Sequence, residues 1–389
     1  MSINKRIAYL GNIPLTDTDF SYLNEAQKMA DVTYYVEVSP RYMNGPALSF
    51  KHMYPKSGLF KARDIYKDFE KYEGFIDLNK VYVVNATGRL WALKSFWLHF
   101  LLLIKMISCR YNVIHIAWPL NFYQFALYFL RKKMVLTVHD PFPHSFSDSL
   151  IFRIRRSVAF FLTRNFVILN QKQKDDFIKY YHLEGKNVID SQLSNCTFLQ
   201  SIDNVTEQND NQSEYILAFG RICRYKGFDY LLPAMKKVHE KHPECKLVIA
   251  GKGDFHFDIS EFASLDYIDL RNRFIPDEEM VSLMKNALFM VCPYTDATQS
   301  GVIMSSYAFY RPVVATNVGG LPEMVIDGKY GIIVQEKKVD ALADAILKLL
   351  DNRALLDTFR KNIEEDYTSG ERSWHETAKK LVDEYTKLN

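Results

Sequence analysis

Two cations lie close together in segment 219–228, whose sequence is FGRICRYKGF. An apolar strand pattern ends here and a helical pattern follows, so Arg221 and Lys226 are expected to project from a strand-to-helix loop. The start of a helix favours anions because its first amide groups have no partner within the helix. A guanidinium bridges two oxygen atoms and an ammonium adds a mobile charge, which suits the pair to a diphosphate. Taken alone, both residues are also compatible with ordinary surface charges near a helix start.

A second segment, residues 294–309, contains a strand end and a loop of small residues that opens a helix at Gly301. The amide groups of Ser300, Gly301 and Val302 are expected to hold a phosphate or sugar oxygen without help from side chains. A loop capped by the hydroxyl of Thr298 or Ser300 explains the same residues without a ligand.

Short apolar strands alternate with longer helical patterns around these loops, which predicts repeated βαβ units and mostly parallel sheets. Strands are expected over residues 6–11, 31–38, 80–85, 112–118, 134–139, 166–170, 188–193, 215–220, 246–251, 267–274, 288–293, 313–316 and 331–334. Helices are expected in the second half over residues 227–240, 277–286, 302–310 and 339–350.

The element order predicts two doubly wound domains joined by one linker. The N-terminal domain is expected over residues 1–200, the polar linker over 201–213, the C-terminal domain over 214–368 and a last helix over 369–389. Doubly wound sheets bind ligands outside the carboxyl ends of their strands, so the cleft between two such domains is the expected site.

The composition argues against several other classes of protein. With 389 residues, 48% of them hydrophobic, the chain is expected to fold as a soluble two-domain protein. Five scattered cysteines without a CxxC pair argue against a disulfide framework and a zinc site. The longest apolar run, residues 96–104, is too short to span a membrane. Asp17 and Asp19 fit helix capping better than metal binding, and neither a metal nor a cofactor is expected.

Charge is distributed unequally along the chain. Residues 1–200 carry 26 Lys and Arg against 16 Asp and Glu, whereas the remainder carries 23 against 30. No acidic residue occurs from Leu78 to His139. A basic half indicates an anionic partner. We expect a phosphorylated substrate or an anionic lipid surface rather than nucleic acid, and a location in the cytoplasm or on the inner face of the cell membrane.

In this order and spacing, the two loop segments resemble the retaining glycosyltransferases of family 4. The resemblance covers most of residues 214–388 and extends to LVIAGKGD at 247–254, RFIPDEE at 273–279, GGLPEMVIDG at 319–328, YGIIV at 330–334 and SWH at 373–375. It implies the GT-B fold, in which two Rossmann-like domains face each other across a cleft and the C-terminal helix crosses back to the N-terminal domain.

The resemblance also implies a nucleotide-sugar donor in the second half, with Arg221 and Lys226 binding its diphosphate as catalytic residues. The residues expected to bind the donor are Gly220, Gly251, Arg273, Phe274, Gln299, Ser300, Gly301, Val302 and Ser305.

Fewer features of the first half match the family. His139 resembles the family's strand-end histidine that touches the donor sugar, which adds it to the expected catalytic residues. It is also compatible with a core or capping histidine. Gly11 and Asn12 occupy the first strand-to-helix loop, which is expected to face the acceptor.

The family's pair of glutamates, spaced as Glu-x7-Glu, is missing. Alignment on Pro312 places Ala297 and Ser305 at those two positions, and Asp296 lies one residue out of register. The second glutamate typically holds the donor ribose, so its loss is expected to weaken nucleotide binding.

These features predict transfer of a sugar to an acceptor hydroxyl with retention at the anomeric carbon. A glycan or lipid-linked glycan in cell-surface polysaccharide assembly is the expected acceptor. A sugar-nucleotide epimerase or phosphorylase on the same fold would share the phosphate cations. A non-catalytic partner protein would explain the missing glutamates.

The expectation of a lipid-linked acceptor depends on helix 89–106, which has two apolar stripes. The stripe expected to pack on the sheet comprises Leu90, Leu93, Trp97, Phe100, Leu101 and Ile104. The stripe expected on the outside comprises Trp91, Leu98 and Leu102, flanked by Lys94 and Lys105. Aromatic and basic residues on one face suit an anionic membrane surface, although packing against a neighbouring helix is the alternative.

Overall fold

The computed structural model describes residues 5–88, 93–142, 150–202 and 214–388. The chain forms two compact units, Met1–Ser194 with Trp374–Asn389, and Asn195–Ser373. Residues 195–200, expected in the N-terminal domain, therefore belong to the second unit, as do residues 369–373. The Cys196 amide, for example, donates a hydrogen bond to the Met304 carbonyl. Most of the predicted linker, residues 203–213, lies outside the described residues.

The first unit is built on an eight-stranded sheet, counted over the described residues. Its strands are β1 (Arg6–Asn12), β2 (Asp31–Val38), β3 (Gly58–Lys61), β4 (Val81–Asn85), β5 (Val113–Ile116), β6 (Met134–Val138), β7 (Asn165–Ile168) and β8 (Asn187–Asp190). The spatial order is β3-β4-β2-β1-β5-β6-β7-β8, and only β3 pairs antiparallel with its neighbour. Strand order reverses beside β1, which lies between β2 and β5.

The helices of this unit that precede residue 195 are α1 (Thr16–Met29), α2 (Ala62–Ile65), α3 (Leu93–Ser108), α4 (Leu150–Leu162) and α5 (Lys174–Tyr180). Turns of 3-10 helix lie at Ile13–Leu15, Lys67–Tyr72, Leu78–Lys80, Phe122–Lys133 and Gln171–Gln173. Strands such as β2 and β6 are buried along almost their whole length, as expected for a parallel sheet covered on both faces.

The second unit has a six-stranded parallel sheet in the order β11-β10-β9-β12-β13-β14, again counted over the described residues. Its strands are β9 (Tyr215–Phe219), β10 (Lys246–Ala250), β11 (Ile268–Arg271), β12 (Met290–Cys292), β13 (Val313–Thr316) and β14 (Gly331–Val334). Its helices are α6 (Phe198–Ile202), α7 (Phe228–Lys241), α8 (Ser260–Ala263), α9 (Asp277–Asn286), α10 (Gly301–Tyr307), α11 (Leu321–Met324), α12 (Val339–Asp351) and α13 (Arg353–Thr368).

The last helix, α14 (Trp374–Lys387), packs against α1 in the first unit. The Tyr385 hydroxyl bonds to His115 Nδ1 on β5, and Lys5 donates to the Tyr385 carbonyl at 2.8 Å. Burial lowers the pKa of His115 to about 3, so the imidazole is neutral in this contact.

The thirteen strands predicted from sequence are confirmed, with bounds that shift by up to about three residues. The strand that sequence reasoning missed is β3, a four-residue strand on the sheet edge whose first three residues are only partly buried. The four predicted helices of the second half correspond to α7, α9, α10 and α12. Both sheets are therefore doubly wound, as predicted.

The prediction for the two stripes of helix 89–106 is wrong. The stripe expected on the sheet is exposed: Trp97 is 62% exposed, and Leu93, Phe100, Leu101 and Ile104 are between 42% and 87% exposed. Leu98 and Leu102, expected outside, are buried. Both stripes are apolar at helical spacing, so periodicity alone does not choose between them. The buried stripe includes Ser95 and His99, whose polar atoms bond to each other within the helix. Residues 89–92 lie outside the described part of the chain.

Candidate functional site

The two loop segments singled out by the sequence follow neighbouring strands of the second sheet. Strand β9 ends at Phe219 and β12 at Cys292, and these strands are paired where the strand order reverses. Loops at such a reversal form the usual ligand site of a doubly wound sheet. The loops also touch each other, since the Thr295 amide donates to the Tyr225 carbonyl at 2.8 Å. The structure thus brings the predicted segments together within one unit.

Lys226 is the buried cation of this site. Its side chain is 6% exposed, and Nζ donates a 2.5 Å hydrogen bond to the Tyr294 hydroxyl. Nζ also lies 3.8 Å from the centroid of the Tyr294 ring, which is cation–π distance. No carboxylate in the described residues pairs with Lys226. Burial lowers the pKa of Lys226 to about 8, so a buried ammonium without a counter-ion occupies the loop.

Arg221 is the second cation of the loop and is exposed. Its guanidinium forms no ion pair with any side chain in the described ranges. Its charge lies near enough to lower the pKa of Lys226 further. Two neighbouring cations without an acidic partner form a site that favours an anion, which agrees with the predicted diphosphate position.

Glycines allow the loops of this site to approach one another closely. Gly220 has a φ of 110°, and a Cβ at this position would lie 3.3 Å from Val302 and 3.6 Å from Lys226 Nζ. A Cβ at Gly251 would lie 2.0 Å from the Gly220 carbonyl oxygen, so Gly251 permits a backbone contact between two loops. The structure shows that Gly251 packs against the backbone of Gly220. A contact between Gly251 and the donor stays a prediction.

The predicted amide loop is only partly free. The Ser300 amide donates to Met324 Sδ at 3.3 Å, whereas Gly301 opens α10 with no atom within 4 Å of a Cβ built there. A thioether is a weak acceptor, so an anionic oxygen can replace it. Gln299 and Val302 lie on either side of this turn and are half-buried. The loop therefore has open space at Gly301. A ligand that binds the Ser300 amide must replace its hydrogen bond to Met324.

The positions of the missing glutamates differ in their surroundings. Ala297 is buried, and its carbonyl oxygen packs against Gly319. A Cβ added to Gly319 would lie 1.5 Å from that oxygen. Ser305 is half-buried on α10, and its hydroxyl donates to the Gly301 carbonyl at 2.9 Å. The two positions thus differ in burial, with residue 297 buried and residue 305 only partly so.

Arg273 and Phe274 follow β11, the outer strand of the same sheet. Both terminal nitrogens of Arg273 bond to Glu279, at 2.7 and 2.8 Å. Arg273 is thus an already paired cation, unlike Arg221. Phe274 is 73% exposed, which is unusual for phenylalanine and leaves its ring free to stack on a ligand. Donor binding by both residues stays a prediction.

Sequence reasoning missed Tyr294 and Met324 as parts of this site. Tyr294 holds Lys226 through its hydroxyl and its ring, and Met324 holds the Ser300 amide. Tyr294 follows an apolar strand and Met324 lies among apolar residues, so the sequence favoured a role in core packing for both. The position of Tyr294 directly after a predicted strand, beside a cationic loop, was the available signal.

In the first unit, Gly11 and Asn12 form the carboxyl end of β1. A Cβ at Gly11 would lie 2.0 Å from the Asp19 carboxylate, which is buried and accepts hydrogen bonds from the Tyr9 and Tyr34 hydroxyls. Burial raises the pKa of Asp19 to about 8. The absence of a side chain at Gly11 thus leaves space for the buried hydrogen bonds between Asp19, Tyr9 and Tyr34.

His139 follows β6 and is half-buried beside Trp118, with 5.9 Å between the ring centroids. Burial lowers the pKa of His139, and the neighbouring Asp140 opposes that shift. The imidazole is therefore neutral at pH 7 and can donate or accept a hydrogen bond. Contact with a donor sugar stays a prediction.

Across the described ranges, no group of three or more His, Cys, Asp or Glu side chains is arranged to hold a metal ion. Within those ranges no helix is long and apolar enough to cross a bilayer.

Nucleotide binding should depend on pH through Lys226. Because its pKa is about 8, the ammonium is charged below that pH and neutral above it. The affinity for a nucleoside diphosphate, measured by calorimetry, should fall as the pH rises from about 7.5 to about 9, a range in which the phosphates are already ionised. Lys226→Met should bind the nucleoside diphosphate more weakly at pH 7.5 and lack the fall near pH 8. A fall of equal size in Lys226→Met would assign the titration to another group.

Residues 213–352 match the family described as Glycosyl transferases group 1, which is less than half of the chain. An uncharacterized glycosyltransferase of Methanocaldococcus jannaschii is 29% identical over 182 residues, which is 46% of this chain and 50% of that protein. The α-D-kanosaminyltransferase of Streptomyces kanamyceticus is 29% identical over 152 residues, 38% of this chain and 39% of that protein. The chain thus spans half or less of these curated relatives.

Solved structures are similar over almost the entire chain. Anabaena HepE in complex with UDP matches with a TM-score of 0.68 and 15% identity, over 98% of this chain and all of that one. The UDP-GlcNAc 2-epimerase of Neisseria meningitidis bound to UDP-GlcNAc matches with a TM-score of 0.62 and 12% identity, over 99% of this chain and all of that one. These matches establish the fold and confirm the predicted fold class: the chain has the two-domain α/β fold of GT-B glycosyltransferases, and residues 213–352 are similar to the group 1 glycosyltransferases.

Proposed function

We propose that this protein is a retaining, metal-independent glycosyltransferase of family 4. It transfers a sugar from a nucleotide diphosphate to an acceptor hydroxyl, in the cytoplasm or at the inner face of the cell membrane. The observation that carries the proposal is the pair of cations, Arg221 and Lys226, at the point where the strand order of the second sheet reverses. Neither has an acidic partner among the residues that the structure describes. The group 1 match over residues 213–352 and the UDP bound by HepE support the same donor class.

The chemistry follows from where negative charge develops. When the bond between the sugar and the diphosphate breaks, charge accumulates on the leaving phosphate oxygens. Arg221 and Lys226 stabilise that charge, and the loop at Gly301 offers amide groups to the same anion. Because Lys226 is held by Tyr294 before the donor binds, little reorganisation is needed at the moment of reaction.

The proposed reaction retains the anomeric configuration without a carboxylate nucleophile of the protein. A retaining glycosidase places two carboxylates around the anomeric carbon. The family's two glutamate positions carry Ala297 and Ser305 here, and Ala297 is buried. In the proposed reaction the acceptor attacks the face that the diphosphate leaves. The departing phosphate oxygen then takes the proton of the acceptor hydroxyl.

The decisive experiment is to incubate the full chain with a panel of nucleotide sugars, with and without hydroxylated acceptors. The proposal expects release of the nucleoside diphosphate and a new glycosidic bond whose anomeric configuration, read by NMR, equals that of the donor. The fold match to an epimerase makes epimerisation the second candidate. An epimerised sugar without glycoside would support that candidate, and an inverted product would contradict retention.

Donor binding should be weak because Ser305 replaces the ribose-binding glutamate. A neutral hydrogen bond contributes about 0.5–1.5 kcal/mol, against about 1.5–3 kcal/mol for one to a charged group. Ser305→Glu should therefore bind UDP about fivefold more tightly in calorimetry, since residue 305 is only half-buried. Ser305→Ala is the matched control. Weaker binding by Ser305→Glu with no change in Ser305→Ala would place the ribose elsewhere.

We also propose that the acceptor is a lipid-linked glycan reached at a membrane surface. The apolar face of α3 exposes Phe96, Trp97, Phe100, Leu101 and Ile104. On the same helix, Lys94 is exposed and Lys105 is half-buried. The exposed stripe differs from the predicted one, but it is larger and more aromatic. Such a face suits an anionic bilayer.

Charge reversal of Lys94, Lys105 and Lys132 to Glu should release the protein from vesicles that contain anionic lipid. Each charge near the surface contributes about 1 kcal/mol, so three reversals should abolish sedimentation with the vesicles. Lys133 is left intact because it donates to the Tyr111 carbonyl. The same change at the exposed Lys241, Lys337 and Lys348 of the second unit is the control. If both triple variants lost vesicle binding equally, the effect would be explained by net charge alone.

A further inference from the structure

Two helices of the first unit, α3 and α4, expose apolar side chains and bury polar ones. On α3, Trp97 is 62% exposed, whereas Ser95 and His99 are buried. On α4, Phe161 is 79% exposed, whereas Arg156 is buried. A surface helix of a globular protein normally has the opposite arrangement, with its apolar stripe toward the core. The outward faces of both helices are therefore suited to a partner that is itself apolar.

Buried polar side chains hold each helix in this orientation. The His99 ring of α3 packs against the Tyr123 ring, with 4.9 Å between the centroids, and His99 Nε2 lies 3.9 Å from the Glu37 carboxylate. The Arg156 guanidinium of α4 donates to the Asp140 carbonyl. Hydrogen bonds of charged groups are among the stronger ones in proteins. A rotation that buried either apolar face would break these contacts, so both faces stay exposed.

α3, the 3-10 helix Phe122–Lys133 and α4 form one layer on the same face of the first sheet. They connect β4 to β5, β5 to β6 and β6 to β7, and all three steps run in the same direction along the sheet. Right-handed connections that step in one direction place their helices on one face. Leu98, Leu127 and Phe160, one from each element, belong to the same buried cluster. α1 steps in the opposite direction and lies with α14 on the other face.

The outer surface of this layer, here called the helical layer surface, carries most of the exposed apolar side chains of the described residues. Of the fifteen large hydrophobic side chains that are exposed there, seven lie on α3, one is Phe129 of the 3-10 helix and four lie on α4. Those of α4 are Leu150, Ile151, Ile154 and Phe161. Apolar side chains scattered singly need no explanation, but a concentration on one surface marks a site of interaction.

The charge of the same surface selects an anionic partner. α3, the 3-10 helix and α4 contain eight Lys and Arg residues and neither Asp nor Glu. Lys94, Arg131, Lys132 and Arg153 are exposed. A second copy of this chain would bring like charges together, which opposes association. An anionic bilayer accommodates the apolar side chains in its acyl region and the cations at its phosphates.

We propose that α4 is a second membrane contact, which acts with α3 so that the helical layer surface lies flat on an anionic bilayer. Leu150, Ile151, Ile154 and Phe161 enter the boundary between head groups and acyl chains. The first sheet, which the layer covers, then lies parallel to the membrane plane. The inference rests on the membrane location in the proposed function and extends it from one helix to a surface. It does not depend on the donor or the acceptor.

Co-sedimentation of the full chain with vesicles tests the proposal. Vesicles of phosphatidylcholine with phosphatidylglycerol are compared with vesicles of phosphatidylcholine alone. The triple variant Ile151→Ser, Ile154→Ser and Phe161→Ser keeps every charge of the protein. It should bind the anionic vesicles more weakly than the parent by about tenfold or more, because it removes apolar area that enters the lipid. Trp97→Ser with Phe100→Ser should cause a loss of similar size.

Phe161→Ser and Phe274→Ser form a matched pair. Their rings are 79% and 73% exposed, and Phe274 lies in the second unit. Phe161→Ser should weaken vesicle binding by about threefold or more, whereas Phe274→Ser should leave it unchanged. Vesicle binding of the α4 triple variant equal to that of the parent would overturn the proposal. Equal losses in the matched pair, or a change of oligomeric state without vesicles and none in vesicle binding, would overturn it as well.

A polarity-sensitive fluorophore tests the orientation of the first unit. With the partly exposed Cys109 and Cys223 replaced by Ser, the label is attached through Ile154→Cys on α4 or through Lys380→Cys on α14. Anionic vesicles should shift the emission of the α4 label to the blue and leave that of the α14 label constant, because α14 lies on the other face of the sheet. Equal shifts of the two labels would contradict a layer that lies flat on the bilayer.

Transfer to a water-soluble acceptor distinguishes this inference from the function on which it rests. The α4 triple variant should release nucleoside diphosphate at the rate of the parent, because its three residues lie outside the donor site. If the parent transfers sugar but the triple variant binds vesicles as the parent does, the docking inference fails and the transferase stands. If no nucleotide sugar is cleaved while vesicle binding follows the prediction, the transferase fails and the docking surface remains.

Discussion

Lys226→Met should reduce turnover by two to three orders of magnitude while the second unit stays folded. Removing one preorganised donor to a developing negative charge typically costs about 3–4 kcal/mol at the transition state. Lys226 is buried and has no acidic partner among the described residues, so water does not screen its charge. Methionine keeps the volume of the side chain and removes only the ammonium. Steady-state release of nucleoside diphosphate from the best nucleotide sugar of the panel measures the effect.

Three comparisons make this result specific. Arg221→Ala should cause a loss of the same order, because the two cations act on one diphosphate. Arg224→Ala removes an exposed cation two residues from Lys226 and should leave turnover within about twofold of the parent. The melting temperature of Lys226→Met should not fall, because an uncompensated buried charge is lost. Near-normal turnover in both Lys226→Met and Arg221→Ala would show that the donor is bound elsewhere.

The second unit could be predicted well from sequence because its signals are local. Arg221 and Lys226 lie within six residues of each other, and the strands before each loop are short, apolar and bounded by turns. Two loops that follow paired strands of a parallel sheet must meet at the same edge. Periodicity therefore located the two loops, and the family resemblance assigned residues 219–228 and 294–301 to one site. What it could not give was the role of Tyr294, whose hydroxyl and ring both contact Lys226.

The first unit was harder to predict because the surroundings of its buried polar residues depend on pairing between distant segments. Glu37 is a single acid in a strand of apolar residues, and His99 is a single imidazole in the longest apolar run. These two signals were available, but their meeting at 3.9 Å depends on which face of α3 packs on the sheet. A helix that is apolar on most of its circumference leaves that choice to tertiary packing. The wrong stripe assignment and the missed contact between Glu37 and His99 therefore have the same cause.

The loop contact that holds Lys226 in place depends on a glycine. Gly227 has a φ of 69°, and a Cβ added there would lie 1.9 Å from the Pro293 carbonyl oxygen. Gly227 thus lies between Lys226 and α7 and packs directly against the backbone that precedes Tyr294. Any side chain at residue 227 must move the Pro293 peptide, and Tyr294 with it.

Gly227→Ala should therefore destabilise the second unit and abolish nucleotide binding together. The left-handed conformation alone costs an alanine about 1–2 kcal/mol, and the displaced loop adds to this. Gly328→Ala is the matched control, since Gly328 has a φ of 73° but no atom within 4 Å of its Cβ position. Urea unfolding should show a loss for Gly227→Ala at least twice that of Gly328→Ala, and only Gly227→Ala should lose UDP binding in calorimetry. Equal losses in the two variants would mean that backbone strain explains the whole effect. The contact between the Lys226 loop and the Tyr294 loop would then not be what organises the donor site.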